Sequence, residues 1–576
     1  MISEKISRII KNSIFSLQKK KKFPSFKIPE IKIEIPERKE HGDFSTSLPF
    51  QISKIIKKNP SKIAKEISKE ISLQKEKFLE KIEVSKEGFI NFFLSKKFLI
   101  EELKKILRKK ENYGKSKIGK GKTILVDYSA PNVAKKFGIG HLRSTIVGEA
   151  ICKIFKSLGY KVISINHLGD WGTQFGNLIY QIRKKKINLK KITLEKMENL
   201  YVEFHQIAEK DPKIKEEGRK WFEKLERGDK EARKIWKVCI EKSLQEFKKI
   251  YSLLGIKIDF TLGESFYEKL SKKIIEEIKE KRIARESRGA LVVEFEKLPP
   301  AILLKNDGTT TYFTRDLAAI KYRLERWNPY LIVYEVGAEQ SLYFKQLFKT
   351  VEMLGWAEKE RFYHLAHGLY IWKRKKFSTR KGATIHLEEV IKEAIDRAKK
   401  IIEKSEASKN LSQKEKIKIA KIVGIGAIKY NDLKHHPSTD IVFQWEKVLN
   451  LKGNSAPYLQ YTFVRCKSLI KKSKFKNKEI ELKIVEDLKE IELEILKVLL
   501  TFPEIVKKSA QTFSPNLISN FIFDLAQKYN FFYEKLPILK EKSKKKRDFR
   551  LALTKAVGQI IKNSLFLLGI SVPQRM

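Results

Sequence analysis

Asp127, Gly138, Gly140 and His141 are the residues whose types and spacing first suggest chemistry. They stand in "DYSAPNVAKKFGIGHLRST" (127–145), where an apolar run ends in an acid, turns through Gly-Ile-Gly and continues as "HLRSTIVGEAICKIFKSLG". A strand feeding a glycine turn into a helix N-terminus makes an anion site, because free backbone N–H groups and the positive end of the helix dipole face the turn. Glycine at 138 and 140 admits a ligand close to the main chain. The dinucleotide pattern G-x-G-x-x-G is broken, since Arg143 stands where its third glycine belongs, and no G-K-[ST] follows to make a P-loop. By itself the stretch reads either as a nucleotide-phosphate site at a helix start or as a tight turn between strand and helix.

The elements that must position these residues are legible on both sides. From 123 the pattern is strand ("TILVDYS"), helix after Gly140, strand ("KVISINHLGD"), a β-α-β unit that implies a parallel sheet and an α/β class. "LIVYEVG" (331–337) returns to that sheet after the helix "TRDLAAIKYR". Residues 1–110 mix amphipathic helices with the expected strands "IKIEIPE" and "EGFINFFLS", as in a small α+β domain. "ENYGKSKIGKGK" (111–122) is a polar boundary opening an α/β domain over 111–385, with a lysine-rich helical insertion at about 181–250. A helical connecting region (386–452) and an all-α bundle (453–576) complete the chain.

Composition bounds the classes open to it. A chain of 576 residues has room for about three or four domains. With 42% hydrophobic residues it can build sizeable cores, which excludes global disorder. Cys152, Cys239 and Cys466 lie far apart without any C-x-x-C, so a reducing, cytoplasmic setting is expected. No apolar run approaches the roughly 18 residues of a membrane span, and the N-terminus lacks the apolar centre of a secretion signal. The net charge of +52 suits a nucleic-acid partner. Lysine is nevertheless spread through every segment beside abundant isoleucine, as AT-rich codons would produce, so charge alone names no partner. His364 and His367 have ligand-like spacing, yet no further cluster joins them and no metal site is expected. These two, with His41, His167, His205, His386, His435 and His436, read as structural.

Further motifs follow in order: "NHLGDWGTQFG" (166–176), "LGIKIDFTLGESFY" (254–267), "DGTTTYFTRDLAA" (307–319), "VGAEQSLYF" (336–344), "KKFSTRKG" (375–382) and "GNSAPYLQY" (453–461). With the opening stretch they resemble the arginyl-tRNA synthetases, a class I aminoacyl-tRNA synthetase family. "FRLALTKAVGQIIKNSLFLLGISVPQRM" is similar to the end of that family's anticodon-binding domain, and "HGDFSTSLPF" (41–50) to its N-terminal domain, so the resemblance spans essentially the whole chain. It implies a Rossmann-type catalytic domain that activates L-arginine with ATP and esterifies arginine tRNA. Mg²⁺ would be carried with the ATP, and the protein would act as a monomer.

Matched residue by residue, the resemblance implies arginine contacts from Asp127 (more often Glu in the family), Asn132, Tyr312, Asp316 and Gln340. A planar guanidinium suits such carboxylate partners. His141 matches the second histidine of the class I H-x-G-H motif and Gly140 its glycine. The second class I motif appears as Lys376-Phe377-Ser378-Thr379-Arg380, with Ser378 and Thr379 at ATP. Which of Lys376, Arg380 and Lys381 meets the leaving phosphates stays open. For tRNA, whose unstacked bases favour aromatic and cationic faces, the candidates are Tyr458, Gln460, Tyr461 and Arg465. Two positions depart from the family: Gly138 replaces the first histidine of the motif and Lys136 the usual proline. They raise a rival, a synthetase-shaped protein that binds tRNA without activating arginine. A general basic RNA-coating protein is a third class, and it would have no pocket.

Overall fold

The computed structural model describes the chain except residues 37, 373–385, 406–408, 410, 474–484 and 486. In the N-terminal segment α1 (Ile2–Lys19), α2 (Leu48–Ile56), α3 (Pro60–Ser72) and α4 (Lys96–Lys109) accompany β1 (Phe44–Thr46), β2 (Leu79–Val84) and β3 (Ile90–Leu94). The strands form an antiparallel sheet of order β1-β3-β2. Ile6, Ile10, Ile14 and Leu17 make the buried stripe of α1, and Asn59 caps α3 by accepting from the N–H groups of Ser61 and Lys62. Of "IKIEIPE", expected as a strand, the described residues 31–36 form none; among them only Glu34 bridges, exchanging two hydrogen bonds of 2.9 Å with Ser45. Pro29 precedes the stretch and Pro36 lies within it, and proline has no N–H for a ladder.

The central sheet is built from β4 (Thr123–Asp127), β5 (Lys161–Asn166), β6 (Phe260–Thr261), β10 (Leu331–Gly337) and β11 (Phe362–His367). Its order is β11-β10-β4-β5-β6 and every pairing is parallel. The chain runs outward from β4 through β5 to β6, then returns to the other side of β4 for β10. That reversal is the doubly wound topology, and it opens a crevice beyond the carboxyl ends of β4 and β10. Helix α5 (Ile139–Ser157) joins β4 to β5. Between β5 and β6 lie α6 (Thr173–Lys184), α7 (Leu194–Lys210), α8 (Pro212–Glu226) and α9 (Lys230–Leu254), somewhat more than the expected insertion. Helix α10 (Glu268–Glu280) and a small antiparallel sheet of β7 (Ala284–Ser287), β8 (Ala290–Val293) and β9 (Ala301–Leu304) precede α11 (Tyr312–Trp327). Leu125, Ile165 and Ile332 of the sheet, Leu317 and Ile320 of α11 and Leu347 of α12 (Ser341–Met353) share one core.

Past β11 the short strand β12 (Tyr370–Trp372) pairs in parallel with β13 (Ile441–Phe443), which lies within the region expected to be helical. Helices α13 (Leu387–Glu403), α14 (Gln413–Leu433) and α15 (Trp445–Val448) accompany them, and α16 (Ala456–Lys472), α17 (Glu490–Gln511), α18 (Asn516–Lys535) and α19 (Lys544–Leu567) finish the chain. None of the described helices is long and apolar enough to cross a membrane. The chain divides into two compact units. One takes Met1–Lys115, Tyr461–Lys508 and Asn520–Ser564; the other takes Ser116–Gln460, Ser509–Ser519 and Leu565–Met576.

Candidate active site

The loop from β4 to α5 is held in a conformation that non-glycine residues rarely adopt. Ser129, Ala130 and Ala134 have φ of 76°, 41° and 64°, the left-handed region that costs an L-residue free energy unless its surroundings impose it. Side chains from three elements do so. Ser144 of α5 accepts from the Ser129 N–H at 2.9 Å, Asn166 of β5 from Ala130 at 3.0 Å, and Ser243 of α9 from Ala134 at 2.9 Å. The Ser129 hydroxyl lies 2.8 Å from the Tyr251 hydroxyl, which also accepts from Asn166 at 3.0 Å. The loop is therefore set before any ligand arrives.

It delivers the chain to α5, whose N-cap is Gly138. Gly138 is extended (φ −80°, ψ 158°), so its backbone does not demand glycine. Gly140 in the first turn is exposed, and a Cβ added there would meet no described atom within 4 Å. Beside it the His141 ring packs edge-on against Phe137, with centroids 5.5 Å apart. Its Nδ1 is buried and has no hydrogen-bond partner among the described residues. Burial pushes the imidazole pKa down to about 4, against a smaller opposing pull from the Gly138 carbonyl. His141 is thus a neutral donor near neutral pH, not a fixed cation. Lys136 is 3.5 Å from Glu195 of α7, so the unexpected lysine is engaged with the insertion.

Across the crevice the acidic residues divide by what already holds them. Asp127, last in β4 and buried, is ion-paired at 2.7 Å with Arg323 of α11, itself buried. Its charge is answered within the protein by that guanidinium. Asp316 lies one turn after Tyr312 on α11. It accepts from the Tyr343 hydroxyl of α12 and has His167 Nε2 at 3.1 Å from its Oδ1. Burial would raise the Asp316 carboxyl, but His167, Tyr343 and Arg323 together hold it below the usual range. Tyr312 is 59% exposed, its ring 5.2 Å from that of Tyr343. Exposed Asn132 bridges Gly169, and its Oδ1 would be 3.2 Å from a Cβ there; Glu264 Oε1 is 3.9 Å from the same point. Glu264 is paired with Arg315 at 2.6 Å. Gln340, also exposed, opens α12, the helix that carries Tyr343.

Lys376, Ser378, Thr379, Arg380 and Lys381 lie outside the described residues. Of the RNA candidates, Gln460 is fully buried and donates to the carbonyls of Ile422 and Ser571, so it offers no surface to a tRNA; that expectation is corrected. Tyr458 is partly buried. Tyr461 is exposed, and the Arg465 guanidinium lies over its ring at 5.0 Å and over that of Tyr533 at 4.7 Å. His364 stacks on Phe344 and His367 sits 3.0 Å from Glu335. Among the described residues no three His, Cys, Asp or Glu side chains group to hold a metal.

Residues 102–445 match the family described as tRNA synthetases class I (R), catalytic domain; residues 2–94 match the arginyl tRNA synthetase N terminal domain, and residues 459–576 the DALR anticodon binding domain. The chain belongs to the arginyl-tRNA synthetase family. It is 40% identical over 577 residues to the arginine–tRNA ligase of Clostridioides difficile, with 99% of each chain covered. Identity to the Fusobacterium nucleatum ligase is 38% over 572 residues, covering 98% of each. The arginyl-tRNA synthetase crystal structure from Plasmodium falciparum superposes with a TM-score of 0.85 at 28% identity, over 100% of this chain and 99% of that one. The Thermus thermophilus synthetase gives 0.83 at 24% identity over 100% of both chains, a likeness of fold.

Several residues around this synthetase crevice escape sequence reasoning. His167, which reads as structural in the sequence, stands against Asp316; its signal is the motif "NHLGDWGTQFG", which by itself singles out no residue. Tyr343, Arg323 and Glu264 contact the acids or line the same crevice, yet each lies in an ordinary helical or loop context. Only folding brings them there.

Proposed function

We propose that the protein joins L-arginine to ATP as arginyl-adenylate, releasing pyrophosphate, and then transfers the arginyl group to its tRNA, releasing AMP. The observation that carries this reading is the succession of three matching families along one chain, with full-length likeness to arginine–tRNA ligases. In the site, Asp316 takes the guanidinium, its oxygens already oriented by Tyr343 and His167. Tyr312, Asn132 and Gln340 direct the rest of the amino acid through neutral hydrogen bonds. Asp127 acts indirectly, holding Arg323 and hence α11 in place. ATP lies with its phosphates at the start of α5, where Gly138 and Gly140 let it approach and His141 donates as charge moves onto pyrophosphate. Ser378 and Thr379 contact ATP from the second motif, where Lys376, Arg380 or Lys381 supplies the cation. Mg²⁺ arrives on the nucleotide, without a dedicated cage of protein ligands.

For the tRNA, exposed Tyr461 and Tyr533, with the partly buried Arg465 over their rings, offer aromatic and cationic groups of the kind on which unstacked bases rest; Tyr458 is a further candidate on the same helix as Tyr461. In this reading the protein works as a monomer in the cytoplasm. The rival, a tRNA-binding protein without activation, is not favoured, and it would have no use for the oriented Asp316. The test is charging of a tRNA pool with each amino acid in turn. Arginine alone should be esterified, and binding of tRNA with no arginine-dependent adenylate would establish the rival.

A further inference from the structure

Asp316 meets the substrate guanidinium in the proposed function, and the role inferred for its neighbour His167 rests on that assignment. In the free protein this carboxylate already faces a titratable base, His167 Nε2 at 3.1 Å. Charged and titratable groups reach His167 from every neighbouring element. Asp170 is on its own loop, Asp127 ends β4, Asp316 and Arg323 are on α11, and Glu264 and Tyr267 precede α10, with the Tyr267 ring 5.7 Å away. Most of these acids are spoken for. Asp127 pairs with Arg323 at 2.7 Å and Glu264 with Arg315 at 2.6 Å. Asp170 accepts from the Ser265 N–H at 2.8 Å and its hydroxyl at 2.6 Å. Asp316 is the acid left to balance an imidazolium at 167: both ring nitrogens are buried without a hydrogen-bond partner among the described residues, and Nε2 faces Oδ1 at ion-pair distance.

We propose that arginine binding expels a proton from His167, because the substrate guanidinium takes over the Asp316 charge that the imidazolium holds in the free protein. Two cations cannot share one carboxylate in a partly buried crevice without strong mutual repulsion. The guanidinium is always protonated, so the imidazole yields. The proton leaves the ring for bulk solvent, where the buffer takes it up. Neutral His167 stays beside the carboxylate, its Nε2 3.1 Å from Oδ1. The electrostatics of the free protein agree in direction. Burial disfavours the charged ring, but Asp316 and then Asp127 outweigh it and hold the His167 pKa above its ordinary value.

Linkage sets the sign. Where free His167 is protonated, arginine and a proton compete, so arginine affinity rises with pH and levels off above the His167 pKa. The dissociation constant should fall by up to about tenfold per pH unit below that pKa. The experiment is calorimetric titration of the full-length protein with L-arginine alone at about pH 6.5, the unperturbed histidine value, in two buffers of different ionisation enthalpy. Release approaching about one proton is expected, with His167→Gln removing both the release and the pH slope. Arginine binding without proton release overturns the proposal from the unmodified protein alone, as does release that persists in His167→Gln. Asp316→Asn separates the two levels. If it loses arginine binding while the unmodified protein releases no proton, the pocket stands and the proposal fails; if it binds arginine undiminished, the pocket assignment itself fails.

Discussion

Asp316 and Asp127 show that two acids of one type are told apart by their partners. Asp127 is closed by a buried guanidinium, whereas Asp316 has a hydroxyl and a titratable ring as partners. Asp316→Ala should therefore cost about 2–5 kcal/mol in kcat/KM for arginine, the range for removing one partner of a desolvated charge pair. Steady-state arginine activation with saturating ATP and tRNA measures it, and normal charging by the variant would show the guanidinium site to be elsewhere. Gly138, the N-cap of α5, carries the second prediction at this scale. Its φ of −80° is open to any side chain, so the glycine is not a conformational requirement. Loss of one preorganised donor costs about 10²–10³ in rate. Gly138→His should raise arginyl-adenylate formation by about tenfold or more in pre-steady-state assays; an unchanged or lower rate would mean that the glycine is no deficit. Lys136, engaged with Glu195, should not compensate, and Lys136→Ala should leave that rate nearly unchanged.

At the scale of elements, the fit of α5 on the sheet fixes where His141 stands. Gly148, two turns into α5, lies so close to the residue after β4 that an added Cβ would be 2.3 Å from a Tyr128 ring carbon. Tyr128 cannot easily give way, being buried with its hydroxyl 3.1 Å from Glu149 Oε2. Alanine normally favours a helix over glycine by about 1 kcal/mol, but here overpacking reverses the sign. Gly148→Ala should destabilise by about 1–3 kcal/mol in denaturant unfolding, and a stabilised variant would show that the contact relaxes freely. The central strands were legible because a parallel sheet buried on both faces demands near-continuous apolar runs, as in "TILVDYS" and "LIVYEVG". Strand β6, only Phe260–Thr261, is too short to leave such a signature.

The whole molecule distributes its C-terminal segment between two units, which no boundary near 453 would suggest. Leu565–Met576 belongs to the unit containing the sheet. There the buried Lys429 ammonium of α14 donates to Leu254 O at 2.6 Å and Gly569 O at 2.7 Å, and Gln460 donates to Ser571 O at 2.7 Å. Burial pushes the Lys429 pKa down to about 8, with Lys153 adding to the effect and Glu149 opposing it. Removing Leu565–Met576 would take away one of the ammonium's acceptors and the buried Leu565, Leu568 and Ile570, each worth about 1.5–3 kcal/mol. A much lower Tm is expected, and an unchanged Tm would mean that the segment is dispensable. The charge of +52 acts at this scale too. tRNA affinity should drop by about tenfold or more between low and physiological salt as phosphate contacts release counterions. Filter binding across a salt series checks this, and a flat response would deny phosphate contacts a leading part.

The sequence by itself determined the family, the α/β class, the strand that ends at Asp127 and the helix that starts beside His141, because local periodicity and ordered motifs are written along the chain. It also named Asp316 and Tyr312, which share one helix turn. Tertiary structure alone decided which partners each acid has. Arg323 follows Asp127 by nearly two hundred residues and His167 precedes Asp316 by well over a hundred; only the doubly wound sheet brings them within 2.7 Å and 3.1 Å. The same holds for Gln460, whose polar side chain reads as a surface residue until the carbonyls of Ile422 and Ser571 close over it. A side chain's charge and size belong to the sequence. Its partners, and hence its pKa and its availability, depend on long-range packing that no local pattern encodes.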